Sequence, residues 1–213
     1  MKNIILIPAR RNSKGVPFKN RKLFSHTTQD IPEDVWESVY VSTDDEEIKH
    51  QAAKQFNIHD RSKQNSSDKS STLSLVKEFI ADKKIKHDNI ITMLYLTYPE
   101  RTFAEVDKIH DFFVSNNLKS LLCKKEVKTN PFLCMYEVGN GKGKQIIEHN
   151  LYRRQDYPKV FELSHYVSIF KVSEIDKLNN NMYNEETYFY SIDDKIDIDE
   201  QKDLERFLDN GKH

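Results

Sequence analysis

The amino-acid sequence predicts an α/β protein with a doubly wound sheet, because strand and helix patterns alternate over residues 1–124. The first strand, Asn3–Pro8, is almost uniformly apolar, which is typical of a parallel strand covered on both faces. The 213 residues are enough for one domain. We therefore expect one domain over residues 1–213, with ligands at the carboxyl ends of the strands.

The next elements follow from local patterns. After a strand over 38–41, Thr43 and Glu46 have the spacing of a capping box, and the helix they open is expected to run to Phe56. Thr102 and Glu105 have the same spacing and predict a second helix start. The other elements expected in this half are a helix over 73–85 after a serine-rich loop, a strand over 89–96, a helix to about residue 114 and a strand over 120–123.

The alternation stops after residue 124. Strand patterns over 132–138 and 144–148 flank a glycine-rich turn, which predicts a hairpin. We expect residues 125–165 to leave the sheet as an arm or hairpin that serves as a lid or a dimerisation contact. The remaining elements expected are a strand over 166–172, a short helix over 173–178, a strand over 187–192 and a helix over about 199–208.

Composition narrows the class of protein. The formal net charge is −1, which gives no reason to expect nucleic acid or an anionic membrane as a partner. The apolar segment at residues 3–9 is too short for a secretory signal, and no apolar run approaches the roughly 20 residues that span a bilayer. Two cysteines, Cys123 and Cys134, do not form a disulfide framework, so we expect a cytoplasmic protein.

A basic loop follows the first strand. Gly15 is the only glycine before residue 139, and Arg10, Arg11, Lys14 and Lys19 surround it in sequence. Glycine is used where φ is positive or where a ligand approaches the backbone closely, and clustered cations suit several phosphates. The loop matches neither a Walker A motif nor GxGxxG, so an ordinary solvated loop is an equally good interpretation of its composition.

Two acidic residues lie near the end of the chain. In an extended segment Asp197 and Asp199 share one face, opposite Ile196 and Ile198. Two such carboxylates can hold Mg²⁺ together with phosphate oxygens. On spacing alone, one of them capping the last helix is the stronger alternative.

Taken together, the motifs resemble the acylneuraminate cytidylyltransferases, the CMP-sialic acid synthetase family. The resemblance covers nearly the whole chain in the family's order. The residues that carry it are Ile7–Asn20, Val41–Asp44, Ser67 and Asp68 before Ser71 and Thr72, Leu94–Thr102, Arg154 and Gln155 with Pro158 and Phe161, and Ser191–Leu204 with its Asp-Ile-Asp. The basic opening motif is highly specific, and the closing acidic motif supports it independently.

The resemblance implies a Rossmann-like, mixed but mostly parallel sheet of the nucleotide-diphospho-sugar transferase type, with a protruding dimerisation arm that reaches the partner's site. It implies a homodimer that transfers CMP from CTP to the anomeric hydroxyl of an acidic 2-keto sugar, with release of pyrophosphate. The implied catalytic residues are Arg10, Lys14, Lys19 and Asp199. The implied nucleotide contacts are Arg10, Asn12, Ser13, Gly15, Asn20, Arg61 and Thr72. The implied acceptor contacts are Tyr95, Arg154 and Gln155, and the implied Mg²⁺ ligands are Asp197 and Asp199.

Departures from the family pattern concentrate on the acceptor side and the arm. Tyr95 stands where the family has glutamine, and Leu96, Tyr98 and Glu100 also differ from the family's motif there. Leu133 stands where an arm lysine is usual, and Glu162 where an arginine is usual. The segment between Asn20 and Val39 is also shorter, so a truncated first helix is expected. The resemblance therefore identifies the nucleotide more firmly than the acceptor sugar. A Kdo-like 3-deoxy-keto acid as acceptor, or a catalytically silent nucleotide-binding dimeric homologue, are the alternatives.

Overall fold

A seven-stranded mixed sheet organises the protein in its computed structural model, which describes residues 2–210. The strand order is β3-β2-β1-β4-β8-β5-β9. The strands are β1 Asn3–Pro8, β2 Val39–Thr43, β3 Asn57–Asp60, β4 Ile90–Met93, β5 Ser120–Glu126, β8 Phe161–Lys171 and β9 Tyr188–Ser191. Strand β8 runs antiparallel to both of its neighbours, β4 and β5. The other strand pairs of this sheet are parallel. The expected doubly wound, Rossmann-like sheet is confirmed.

Helices cover both faces of the sheet. They are α1 Lys19–Thr28, α2 Glu46–Ala52, α3 Thr72–Asp82, α4 Phe103–Ser115 and α5 Gln201–Asn210. One core cluster joins β1, β2 and β5 residues to α1, α2 and α4, and the other packs α3 against β1 and β4. Alternate residues of β1 enter the two clusters, Ile5 and Ile7 on one face and Ile4 and Leu6 on the other. This double burial explains why the strand is apolar throughout. No helix in residues 2–210 is both long enough and apolar enough to cross a bilayer.

The prediction of a capping box at Thr43 and Glu46 is wrong. The side chain of Asp45 caps α2 by accepting a hydrogen bond from the amide of Glu47 at 3.0 Å. The hydroxyl of Thr43 instead donates to the carbonyl of Ala9 at 2.5 Å, so it ties β2 to the start of the basic loop. The box at Thr102 and Glu105 is confirmed, with both reciprocal hydrogen bonds present.

Other differences arise where tertiary pairing overrides local pattern. The helix α2 ends at Ala52 rather than Phe56, because residues 57–60 form edge strand β3, which the sequence pattern did not predict. Residues 19–28, where a truncated helix was expected, form the ten-residue α1, and a 3₁₀ segment follows at Glu33–Ser38. The helix expected over 173–178 is also a 3₁₀ segment.

The hairpin of the arm is confirmed, with shifted bounds. Strands β6 Met135–Gly139 and β7 Lys142–Gln145 pair outside the main sheet, and residues 132–133 belong to a 3₁₀ turn instead of the strand. Because β5 continues to Glu126 and β8 begins at Phe161, the segment that leaves the sheet is 127–160, shorter than 125–165. We call residues 127–160 the arm.

Candidate active site

A cleft of about 290 Å³ lies at the carboxyl ends of the central strands. Most of the sequence-predicted nucleotide contacts meet there, although they come from three distant parts of the chain. The residues lining the cleft are Pro8, Arg10, Ser13, Lys19, Asn20, Arg61, Asp68, Ser70, Thr72, Leu75, Tyr95, Leu96 and Thr97. Three cations, Arg10, Lys19 and Arg61, face one carboxylate, so the cleft carries positive charge suited to an anion.

Lys19 connects this cleft to the acidic motif. It is the first residue of α1 and is 8% exposed. Its amine donates to the carbonyl of Ile198 at 2.5 Å and lies 3.3 Å from the carboxylate of Asp199. Residues separated by 180 positions thus share one ion pair, and the loop and the acidic motif form a single site.

Gly15 explains how the two segments come so close. A Cβ at residue 15 would lie 2.1 Å from the carbonyl oxygen of Asp199, nearer than real Cβ contacts occur. Gly15 does not have a positive φ, unlike Gly139 and Gly141 in the arm. The glycine is therefore needed for contact with the backbone at Asp199, whereas the sequence interpretation placed a ligand or a left-handed turn there.

The basic loop is held by its neighbours. The guanidinium of Arg10 donates to the carboxylate of Asp68 at 2.8 Å, and the side-chain amide of Asn20 donates to the carbonyl of Arg10 at 2.7 Å. The backbone amide of Arg11 donates to Asp44 at 2.8 Å. The motif Val41–Asp44 thus anchors the loop, a role beyond helix capping. These bonds fix the loop backbone before any ligand arrives.

Arg61 and Tyr95 form the inner wall of the cleft. Burial lowers the pKa of Arg61 to about 10, so the guanidinium stays charged at neutral pH, and its Nε donates to the carbonyl of Asn65 at 2.8 Å. Burial raises the pKa of Tyr95 to about 12, so its hydroxyl stays neutral. Tyr95 was predicted to contact the acceptor sugar. In the structure it lines the same cleft as the predicted nucleotide contacts.

Asp197 and Asp199 differ in their surroundings. One carboxylate oxygen of Asp197 accepts a hydrogen bond from the hydroxyl of Tyr98 at 2.7 Å, and the other is buried without a partner among the described residues. Burial raises the pKa of Asp197, and the nearby charge of Asp199 adds to the shift. The side chain of Asp199 is 75% exposed beside Lys19.

The alternative that one of these aspartates caps the last helix is not supported by the hydrogen bonds. The backbone amides of Asp199 and Glu200 donate to the carboxylate of Asp203, at 3.2 and 2.8 Å. The start of α5 is therefore held by Asp203, which leaves the carboxylates of Asp197 and Asp199 available for another role.

A second cavity, of about 410 Å³, adjoins the acidic pair. Asp197 and Asp199 line it together with Glu162, whose carboxylate lies 3.9 Å from the amine of Lys125. Five cationic and six acidic side chains line this cavity in all. The glutamate at 162 is thus partly neutralised by a lysine of the neighbouring strand.

Some sequence-predicted residues lie outside the cleft. Asn12, Lys14 and Gly15 belong to the basic loop without lining the cleft, and the amine of Lys14 lies 3.9 Å from Asp68. Arg154 lies on the arm, where it lines a separate cavity of about 520 Å³ with Leu133, and Gln155 is its exposed neighbour in a 3₁₀ turn. Within the single chain that the structure describes, neither arm residue lines the cleft.

Two residues of the site escaped the sequence interpretation. Tyr98 supports Asp197, and Asp68 positions Arg10. Tyr98 was visible only as a departure from the family motif, and Asp68 only as part of a motif without a stated role. Their contacts span 99 and 58 positions of sequence, so local spacing carries no signal for either.

The comparisons with known proteins agree with this geometry. A family model described as Cytidylyltransferase matches residues 4–212. The chain belongs to this cytidylyltransferase family. It is therefore a nucleotidyltransferase, and its mixed, mostly parallel sheet is similar in fold to solved structures.

Three similar proteins illustrate the range of relatives. The chain is 24% identical, over 88% of its length and 76% of the relative's, to "Post-translational flagellin modification protein B" of Campylobacter coli. It is also 24% identical, over 96% of its length, to an N-acylneuraminate cytidylyltransferase of Streptococcus agalactiae serotype V. The matched part is only 52% of the length of that relative. A solved CMP:2-keto-3-deoxy-manno-octonic acid synthetase complexed with CTP superposes with a TM-score of 0.68 at 16% identity and full coverage of both chains.

Proposed function

We propose that this cytidylyltransferase transfers CMP from CTP to the anomeric hydroxyl of an acidic 2-keto sugar of the nonulosonate type. The new bond joins the sugar oxygen to the α-phosphorus, the bond from that phosphorus to the β-phosphate oxygen breaks, and pyrophosphate and the hydroxyl proton leave. The observation that carries the proposal is Lys19, which lines the cleft and lies 3.3 Å from Asp199. A cation at this position can contact the triphosphate beside the acidic pair.

The cationic side chains account for the phosphate chemistry. In-line displacement at phosphorus is promoted mainly by positioning and by neutralising the charge of the leaving group. Arg10 offers a planar guanidinium held in place by Asp68, and Lys19 offers a nearly buried amine. We propose that these two side chains hold the triphosphate, with Lys14 as an outer contact on the same loop. Asn12, Ser13, Gly15, Asn20, Arg61 and Thr72 would complete the nucleotide site.

The acidic pair fits Mg²⁺. Carboxylate oxygens are the donors that this ion prefers, and one buried oxygen of Asp197 has no hydrogen-bond partner within residues 2–210, which is unfavourable without a cation. We propose that Asp197 and Asp199 hold Mg²⁺. When bound, the ion would neutralise phosphate charge at the α-phosphorus. Tyr98 would orient the Asp197 carboxylate by the hydrogen bond already present.

The acceptor is proposed from the relatives and from the second cavity. The N-acylneuraminate cytidylyltransferase of Streptococcus agalactiae is named for an acidic sugar. Lysines at 125 and 128 line the cavity beside Asp197 and could contact a sugar carboxylate, while Glu162 and Leu133 alter two positions that are usually basic in the family. These two changes make a Kdo-like acid the second candidate. Tyr95 lines the cleft and Arg154 and Gln155 lie on the arm, and we propose these three as further acceptor contacts from outside the second cavity.

We also propose a homodimer through the arm, in which Arg154 contacts substrate in the partner's site. The arm exposes several large apolar side chains, and grouped apolar side chains on a surface are a mark of protein–protein contact sites. They include Leu133, Met135, Tyr136, Val138, Ile146 and Tyr152. Val138→Asp should lower the mass measured by analytical ultracentrifugation to that of a monomer, whereas Val114→Asp, at an equally exposed valine of α4, should not.

The test of function measures pyrophosphate release from CTP and Mg²⁺ across a panel of nonulosonates and 3-deoxy-keto acids, with CTP affinity measured separately by calorimetry. We expect turnover with at least one acidic 2-keto sugar and much weaker reaction with the other nucleoside triphosphates. Tight CTP binding without turnover on any acceptor would identify a silent homologue. Failure to bind CTP would reject the assignment of the cleft.

A further inference from the structure

A cluster of one histidine and two carboxylates lies at the β3 edge of the sheet and shares no residue with the acidic pair. His59 is on edge strand β3, and Glu78 and Asp82 are one turn apart on α3. Their ligand atoms all lie within 4.8 Å of one another. Asp197 and Asp199 contact Tyr98 and Lys19, which follow β4 and β1, and β2 lies between β1 and β3, so this cluster is distinct from the proposed Mg²⁺ site.

The imidazole of His59 is fixed in position. Its side chain is 2% exposed, its Nδ1 lies 2.8 Å from the hydroxyl of Ser42, and its ring packs edge-on against Phe79. Its Nε2 therefore faces the two carboxylates, 3.3 Å from Asp82 and 3.9 Å from Glu78. A partner on one ring nitrogen that orients the other is the usual arrangement around a metal-binding histidine.

The carboxylate of Glu78 is also held. It accepts hydrogen bonds from the backbone amide of Ser62 at 2.9 Å, from the Ser62 hydroxyl at 2.6 Å, and from the side-chain amide of Asn65. Asp82 is more exposed, at 56%, and can adjust its position. Two of the three donors are therefore preorganised, and the third is free to close on an ion.

The distances suit a small divalent ion. Bonds of about 2.1 Å in tetrahedral geometry place donors about 3.4 Å apart, close to the 3.3 and 3.9 Å between His59 and the two carboxylates; the carboxylate oxygens lie within 4.8 Å of each other, a gap that exposed Asp82 can close. A hydrogen bond between His59 and Asp82 accounts for one of these contacts, while the bonds from Ser62 and Asn65 hold Glu78 near the same ring nitrogen.

We propose that His59, Glu78 and Asp82 bind a divalent transition-metal ion of the zinc class, with water as the fourth ligand. An imidazole nitrogen with two carboxylate oxygens is a donor set that zinc accepts. The ion would join β3 to α3 and, through Ser62 and Asn65, to the loop that carries Arg61. Its role is therefore to stabilise this edge of the sheet.

The experiment uses the full chain stripped of metal by a chelator and titrated with Zn²⁺ alone, against a chromogenic competitor and by thermal unfolding. Wild-type protein should bind Zn²⁺ and unfold at a higher temperature when loaded. Asp82→Asn and Glu78→Gln, which keep the side-chain volume, should each weaken binding by about tenfold to a hundredfold or more. Asp82 is half-exposed, so its variant should fold even if a variant of buried His59 does not.

Two controls separate this site from other zinc contacts. Asp111→Asn changes an exposed helical aspartate beside a histidine on α4 and should bind Zn²⁺ like the wild type. Asp199→Asn should leave the affinity of this site unchanged, because the acidic pair lies elsewhere. The proposal is overturned if the wild type takes up no Zn²⁺, or if Asp82→Asn and Glu78→Gln bind it as tightly as the wild type.

Discussion

Replacing Gly15 with alanine tests the contact that joins the basic loop to the acidic motif. The added Cβ would lie 2.1 Å from the carbonyl oxygen of Asp199, which falls short of an ordinary 3.4 Å contact by 1.3 Å. Because both sides are backbone, a rotamer change cannot relieve the clash, and the two segments must separate. Overpacking of this kind costs about 1–3 kcal/mol of stability. A misplacement of about 1 Å at a reacting centre can lower the rate by about 100-fold.

The assay combines thermal unfolding with the rate of pyrophosphate release from CTP and Mg²⁺. Gly15→Ala should lower the unfolding temperature by several degrees and the rate by about two orders of magnitude. Gly143→Ala is the matched control, since its Cβ would meet only the flexible side chain of Met135 in the exposed arm, and both readouts should stay near wild type. A Gly15→Ala protein with unchanged stability and activity would refute this account of the site.

Three further changes test separate parts of the structure. Lys19→Met should lower kcat/KM for CTP by about 10²–10³-fold, by analogy with the loss of one charge-stabilising donor. The control Lys22→Met, on the exposed side of α1, should leave kcat/KM near the wild-type value, and equal losses in both variants would contradict the role of Lys19. Tyr98→Phe should raise the Mg²⁺ concentration for half-maximal activity by about tenfold to a hundredfold, and an unchanged Mg²⁺ dependence would argue against its support of Asp197. Burial alone would raise the pKa of Glu105, but hydrogen bonds from Lys195 and other donors lower it to about 2 from 4.5. The stability that the ionised Glu105 contributes is therefore present above pH 4.5 and lost towards pH 2. The free energy of unfolding in urea should depend less on pH in Glu105→Gln than in the wild type over this range, and an identical pH dependence would contradict the role of Glu105.

The sequence predicted elements whose signals are local. Strand β1 is apolar because both of its faces are buried, and the box at Thr102 and Glu105 closes within a single turn. Edge strand β3 has only four residues, mostly polar, and it exists because it pairs with β2. Thr43 had the spacing of a cap, yet its hydroxyl bonds to Ala9, 34 positions away.

In the site, too, features set by neighbouring residues could be predicted from the sequence, whereas features set by distant contacts could not. Composition marked the basic loop and the acidic motif separately, and a resemblance to a family was needed to link them. The reason for Gly15, the 2.1 Å approach to Asp199, depends on a contact across the whole chain and could not be read from the loop. Tyr98 was noticed only as a substitution, and its bond to Asp197 is what gives it a role.

The most direct test of the central claim follows CTP by ³¹P NMR with Mg²⁺ and an acidic 2-keto sugar, in the wild type and in Asp199→Asn. The proposed mechanism predicts that the wild type converts CTP into a CMP-sugar and pyrophosphate. It also predicts that Asp199→Asn binds CTP but forms product at least about 100-fold more slowly. Equal product formation by the two proteins would contradict the claim that the basic loop and the acidic motif act as one site.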